Sequence, residues 1–347
     1  MQKNSFKVAA MFIASVIGAG FASGKEIFSF FSRYNKASIY GLGLSGAVFF
    51  VFTYCLYNII YKYRDRADSF SDILPSYIGV FYNIFSFCLL FSIYTVMIAG
   101  LSSAGEMIFG INGTLFGVIC TVIFMIIFVS GKTVLINSSL IISPIMCMGI
   151  LFTGIYYLLL SKEAVFNPFE ETSYVWILSS VAYVSYNSVP LISLFWETRE
   201  LFTSKEVCLK GAFMGCMSLT FISIVLDFLI KEFFVKIKVL DIPMLYISES
   251  IGFGAEIISK AVLILAMVST ALSCGFSLTG IIEGKTGSNR LTTVSAVCIS
   301  GLVLSVFGFS NLIEYVYPLF GYTGFVIIVY IIWLFLLNCI TFDKNIR

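Results

Sequence analysis

Ile17-Gly18-Ala19-Gly20-Phe21-Ala22-Ser23-Gly24-Lys25-Glu26 places three glycines inside a long apolar run near the start of the chain. Glycine loses more conformational freedom on ordering than any other residue and, without a Cβ, leaves its backbone bare to whatever lies beside it. The run on either side has the length and apolarity of a membrane helix, and non-helical backbone at membrane depth persists only where it lines a cavity or packs against protein. The stretch therefore reads as a broken helix at a binding site. Close helix packing is the competing explanation, since Gly20 and Gly24 form a small-xxx-small pair.

Composition supports a membrane setting. The 347 residues are 59% hydrophobic and 12% charged, against roughly 25% charged in soluble domains. About 20 apolar residues span the hydrocarbon as a helix, and ten such stretches fill the chain, at 6–34, 37–61, 78–109, 113–130, 136–160, 174–196, 206–232, 254–282, 291–307 and 318–340. This is an all-α, multi-pass protein in contact with membrane lipid, and no hydrophilic block is long enough for a second, soluble domain. The absence of histidine, of HExxH and of paired intramembrane aspartates argues against a membrane enzyme. A charged pore ring is likewise missing, which argues against a channel. A net charge of +2 without a basic cluster leaves no reason to expect nucleic acid. The nine cysteines sit singly in apolar segments with no metal spacing, so no cofactor is expected. Lys3 and Lys7 before an apolar run resemble a signal peptide, but the helical pattern continues through Phe28 to Phe31, so the run reads as a retained first span. Oligomeric state has no signature in the sequence.

The sixth span carries a second interruption, Tyr183-Val184-Ser185-Tyr186-Asn187-Ser188-Val189-Pro190, where the proline withholds a backbone donor and clashes with the preceding turn. The two breaks begin at Ile17 and Tyr186 and the spans after them at Ala37 and Glu206, with one offset common to both pairs. Packing of glycines does not explain a second break at the matching position. Two five-helix halves follow, 1–165 and 166–347, forming one membrane domain. Five is odd, so the second half enters from the opposite side and the repeat is inverted, a mark of secondary transporters. Thirteen of the twenty-one Lys and Arg fall on the side of the N-terminus. The positive-inside rule then puts both termini in the cytoplasm of a cell-membrane protein.

Gly18-Ala19-Gly20-Phe21-Ala22-Ser23-Gly24-Lys25-Glu26 resembles the opening motif of the YkvI-like amino-acid permeases, a bacterial family of the amino acid-polyamine-organocation superfamily. The resemblance implies a LeuT-type five-plus-five inverted repeat with spans one and six discontinuous. It also implies a small-molecule substrate, an amino acid or related solute, held at mid-membrane between spans one, three, six and eight.

Such a zwitterion needs both charges matched. The amides around Gly20, Phe21 and Ala22, flanked by Gly18 and Ala19, carry the positive end of a half-helix and suit a carboxylate, with Ser23 able to cap that terminus. Open carbonyls near Tyr183, Ser185 and Tyr186 can face an ammonium or a sodium ion. Asn187 and Ser188 lie inside this break, where a buried amide is costly unless it binds something. Adjacent hydroxyls on span eight suit a hard cation, and the LeuT resemblance carries an ion site onto the Ala14 and Ile17 carbonyls with Ser269 and Thr270. Back-bonding of those hydroxyls within their own helix is the alternative. Relatives that couple to protons or exchange substrates replace the sodium with a lysine on span five, and 136–160 has none. The fold would set Tyr94 beside the substrate carboxylate, although core packing accounts for a mid-span tyrosine as well. Lys25 and Glu314 form a candidate external gate, with exposed helix-end charges the plainer account. Asp227 is a deep carboxylate, yet Lys231 four residues on suits an ordinary ion pair. The sequence thus leads to a sodium-coupled symporter working by alternating access, with a proton-coupled or exchange transporter of another small organic solute as the rival.

Overall fold

The computed structural model describes residues 2–160, 174–237, 240, 242–306 and 324–337. Among them every regular element is helical. Span one is three pieces, α1 (Gln2–Val16), α2 (Ala19–Ala22) and α3 (Lys25–Phe30). There follow α4 (Ser38–Tyr63), α5 (Ser76–Phe109), α6 (Gly113–Ser130), α7 (Lys132–Leu160), α8 (Val175–Glu197) and α9 (Lys205–Glu232). The short α10 (Phe234–Ile237) and α11 (Pro243–Ile251) precede α12 (Phe253–Thr286), α13 (Arg290–Ser305) and α14 (Gly324–Leu337). Among the described residues seven helices are long and apolar enough to cross a membrane, and α13 and α14 are shorter apolar helices.

Local chemistry explains several boundaries. The Asn112, Ser204 and Asn289 side chains accept from the first backbone N–H groups of α6, α9 and α13. α5 and α12 end where Gly110 (φ 64°) and Gly287 (φ 63°) turn left-handed.

Burial separates centre from rim. α1 is buried continuously from Val8 to Val16 and α8 from Tyr183 to Trp196, the pattern of helices surrounded on all sides. Around them lie α4, α5, α7, α9 and α12. On α6, by contrast, Leu115, Val118, Ile119, Val122, Ile126 and Val129 are exposed at helical spacing, an apolar face suited to lipid. α9 lies close on α1, since a Cβ added at Gly211 or Gly215 would meet Val8 or Phe12 within 3 Å.

Candidate functional site

The centre of the site is the break in span one. α1 stops because Gly18 is extended (φ −93°, ψ −170°), and its N–H turns back to the Val16 carbonyl at 2.9 Å. The Ala14 carbonyl thereby loses its usual donor four residues on. α2 is a single turn closed by Ala22 N–H to Gly18 O at 2.9 Å and Ser23 N–H to Ala19 O at 2.8 Å. The Ala22 amide is thus taken by the chain itself, which leaves Ala19, Gly20 and Phe21 as the leading amides. Gly24 (φ 79°, ψ −5°) then reverses the chain into α3, a conformation that disfavours any L side chain. Ser23 sits at the end of α2 and not at its start. Its hydroxyl donates to Gly20 O at 3.0 Å and accepts from Lys25 N–H, the first amide of α3, at 3.3 Å. Its carbonyl accepts from the Met244 N–H of α11 at 2.9 Å, which seats α11 across the break.

Span eight meets this break at Thr270. A Cβ added at Gly18 would lie 3.1 Å from Thr270 Oγ1, and that hydroxyl is buried without a hydrogen-bond partner. The Ser15 hydroxyl at the end of α1 is buried and unpartnered too. Ser269 donates to Ala266 O at 3.0 Å, bonding within its own helix, which leaves its oxygen lone pairs to accept or ligate.

Glu26 enters the site from α3, although sequence reasoning singled out its neighbour Lys25. Glu26 is only 5% exposed, and its carboxyl packs against the Cα of Gly20, in space that a Cβ would fill. The Tyr186 hydroxyl hydrogen-bonds to it, while Oε2 has no partner. Among the described residues no Lys or Arg nitrogen lies within 4 Å of the carboxylate. Lys25 points elsewhere, donating to Leu240 O at 2.9 Å. Its proposed gate partner Glu314 lies outside the described residues.

Span six departs from expectation. α8 runs as one helix from Val175 to Glu197 with Pro190 inside it. Two of the carbonyls expected to be open are used locally, since Asn187 Nδ2 donates to Tyr183 O at 2.9 Å and Ser188 Oγ to Ser185 O at 2.7 Å, and Ser185 Oγ in turn donates to Val181 O at 2.8 Å. The proline removes one backbone donor, yet α8 continues through it without unwinding. α8 instead presents rings. Tyr183 packs against Phe31 (5.1 Å), Phe30 (5.5 Å) and Phe49 (5.8 Å), and Phe30 stacks on Tyr186 at 5.8 Å.

Two other candidates fall away from the break. The Tyr94 hydroxyl bonds Cys298 Sγ at 3.4 Å, and its ring is close to Gly275, Gly301, Phe124 and Phe128, which turns it toward the packing of α5 on α6, α12 and α13. Asp227 is fully engaged, by Lys231 at 2.8 Å and by the Ser32 and Ser38 hydroxyls at 2.7 and 2.6 Å. It ties the link between α3 and α4 to α9. At the end of the bundle that carries the N-terminus, a polar network joins several helices. Arg290 bonds Glu283 at 2.9 Å and the Phe128 carbonyl, Arg199 bonds Arg64 O at 3.1 Å, Trp196 bonds Asp68 O at 3.1 Å, and Lys132 pairs with Glu200.

No protein-family model matches the sequence. The chain is 22% identical over 329 residues to YkvI, an uncharacterized membrane protein of Bacillus subtilis (strain 168), in a match covering 92% of each. Among solved structures it is similar to a Na+-coupled sialic acid symporter in a substrate-bound outward-open state, with a TM-score of 0.61, 14% identity, and coverage of 96% of this chain and 78% of the other. The fold is LeuT-type. The same LeuT-type arrangement relates the chain to Mhp1, a nucleobase-cation-symport-1 family transporter solved closed with bromovinylhydantoin bound. There the TM-score is 0.56 at 16% identity, over 87% of this chain and 73% of Mhp1. One LeuT-type neighbour is a sialic acid symporter and another was solved with bromovinylhydantoin bound, so the fold leaves the solute to the site residues.

Proposed function

We propose that the protein is a secondary active transporter that moves an amino acid, or a related small solute, together with sodium by alternating access. The observation that carries this reading is the broken span one with the unpartnered Thr270 hydroxyl against Gly18, in a LeuT-type bundle. Ala14 and Ile17 carbonyls with Ser269 and Thr270 supply the neutral oxygens a hard cation requires. The leading amides Gly20 and Phe21 suit a carboxylate. With both termini in the cytoplasm of a cell-membrane protein, the Arg64, Arg199 and Arg290 network is the inner gate, and α11 lies on the outer side of the break. Alternating access then requires these two closures to open in turn.

Proton coupling or exchange is the second reading, favoured by the buried Glu26 carboxyl. Uptake into liposomes separates the two. At fixed pH an inward sodium gradient is expected to drive accumulation of an amino acid. Uptake that follows a pH gradient and ignores sodium refutes sodium coupling.

A further inference from the structure

Glu26 is a buried carboxylate that no described residue neutralises. Leaving it charged is expensive unless a proton or a cation carried by the solute neutralises it. The position is not arbitrary. Its carboxyl rests on Gly20, in the one-turn helix between the two kinks of span one, and it is bonded by Tyr186 across to span six. Beside it the rings of Phe30, Phe31, Tyr183 and Tyr186 form one cluster with neighbouring centroids 5.1 to 6.5 Å apart. A bare metal cation needs a shell of oxygens, and this corner offers a carboxylate and two phenols. An organic ammonium uses both features, since ring faces attract a cation and the carboxylate and phenol oxygens accept its N–H groups. The Tyr183 hydroxyl, 1% exposed and without a partner, is such an acceptor.

We propose that Glu26 is the group that receives the ammonium of the transported solute, with the Tyr183 hydroxyl as second acceptor and the aromatic cluster as the wall. The assignment rests on the transporter reading above, and it moves to Glu26 the role first read onto the span-six carbonyls, of which those of Tyr183 and Ser185 are bonded by Asn187 and Ser188. The site then discriminates solutes by the presence of an amine.

The test is ligand-dependent stabilisation of the purified full-length protein, with the twenty amino acids as probes in sodium and in potassium. Each hit is followed by its deaminated acid and its decarboxylated amine. In the wild type, the deaminated acid should bind on the order of 100-fold more weakly than the amino acid. In Glu26→Gln that preference should collapse to a few-fold while the deaminated acid binds as before, and Glu26→Asp should keep part of it. A Glu26→Gln protein that retains the full preference overturns the assignment, and so does one that loses only the pH dependence of uptake. Should Glu26→Gln fail to fold, Tyr183→Phe removes only an unpartnered hydroxyl. It should cut the preference by about 3- to 10-fold, and an unchanged preference overturns the proposal. If the wild type binds no probe in either salt, the amino-acid reading itself fails. Binding by the wild type with preference intact in Glu26→Gln refutes only the role of Glu26.

Discussion

Gly20→Ala probes the geometry on which the site depends. The added Cβ would fall within 2.8 Å of Glu26 Cγ and Cδ and nearer still to Oε1, so the carboxyl must swing off α2. The backbone there is helical and asks nothing special of the residue, so the substitution by itself should stabilise by about 0.5–1 kcal/mol. Displacing the carboxyl gives up its hydrogen bond from Tyr186, and a bond to a charged group is worth about 1.5–3 kcal/mol. The balance is a destabilisation of about 1–2 kcal/mol. The same change made in a Glu26→Ala background meets no carboxyl and should instead stabilise by about 0.5–1 kcal/mol. A double-mutant cycle therefore predicts a coupling of about 1.5–3 kcal/mol. Equilibrium unfolding of the four proteins in mixed micelles titrated with dodecyl sulfate measures it. Equal effects of Gly20→Ala in the two backgrounds refute the placement of Glu26 on α2.

Thr270→Val swaps an unpartnered buried hydroxyl for a methyl, so the ligand-free protein should gain up to about 1 kcal/mol; the sodium dependence of ligand binding should disappear, as read by thermal shift in sodium against potassium. Asp227→Asn weakens the pair with Lys231 and the bonds from Ser32 and Ser38. Unfolding should show a loss of about 3–5 kcal/mol, with solute preference unchanged in the fraction that folds. Tyr94→Phe deletes the bond to Cys298 Sγ. It should cost about 0.5–1.5 kcal/mol and leave ligand affinity as in the wild type, whereas a loss of affinity would return Tyr94 to the substrate site.

Much of the architecture was legible because hydrophobicity and helix breaking are local. A run of apolar residues long enough to span the bilayer has few options there, and the glycines at 18 and 24 announce the two kinks that appear in span one. The placement of Thr270 against Gly18 had a signal too, in adjacent hydroxyls on span eight. Span six was harder to read. A proline weakens a helix by one donor, and whether the helix unwinds depends on the packing around it; here α8 is buried from Tyr183 to Trp196 and runs on through Pro190. Glu26 had a signal that was passed over. Asp227, Glu206 and Glu256 each have a lysine four residues later, with which the structure pairs them. Glu26 has Phe30 at that place and no basic residue within a helical turn beyond its immediate neighbour Lys25.

By itself the sequence determined that the chain is a bundle of membrane helices with its first helix interrupted, because the cost of exposing backbone to lipid is paid residue by residue and needs no partner to be felt. Which side chains share the interrupted centre was decided only in three dimensions. Lys25 and Glu26 are adjacent, and the left-handed turn at Gly24 sends one out to the Leu240 carbonyl and the other in to Tyr186. Tyr94 and Tyr183 are both buried tyrosines, and the close approach at Gly275 and Gly301 draws one into the scaffold while the Phe30 and Phe31 rings hold the other at the break. The direction of a side chain about its helix axis depends on what that helix packs against, and this is a property of the assembled bundle.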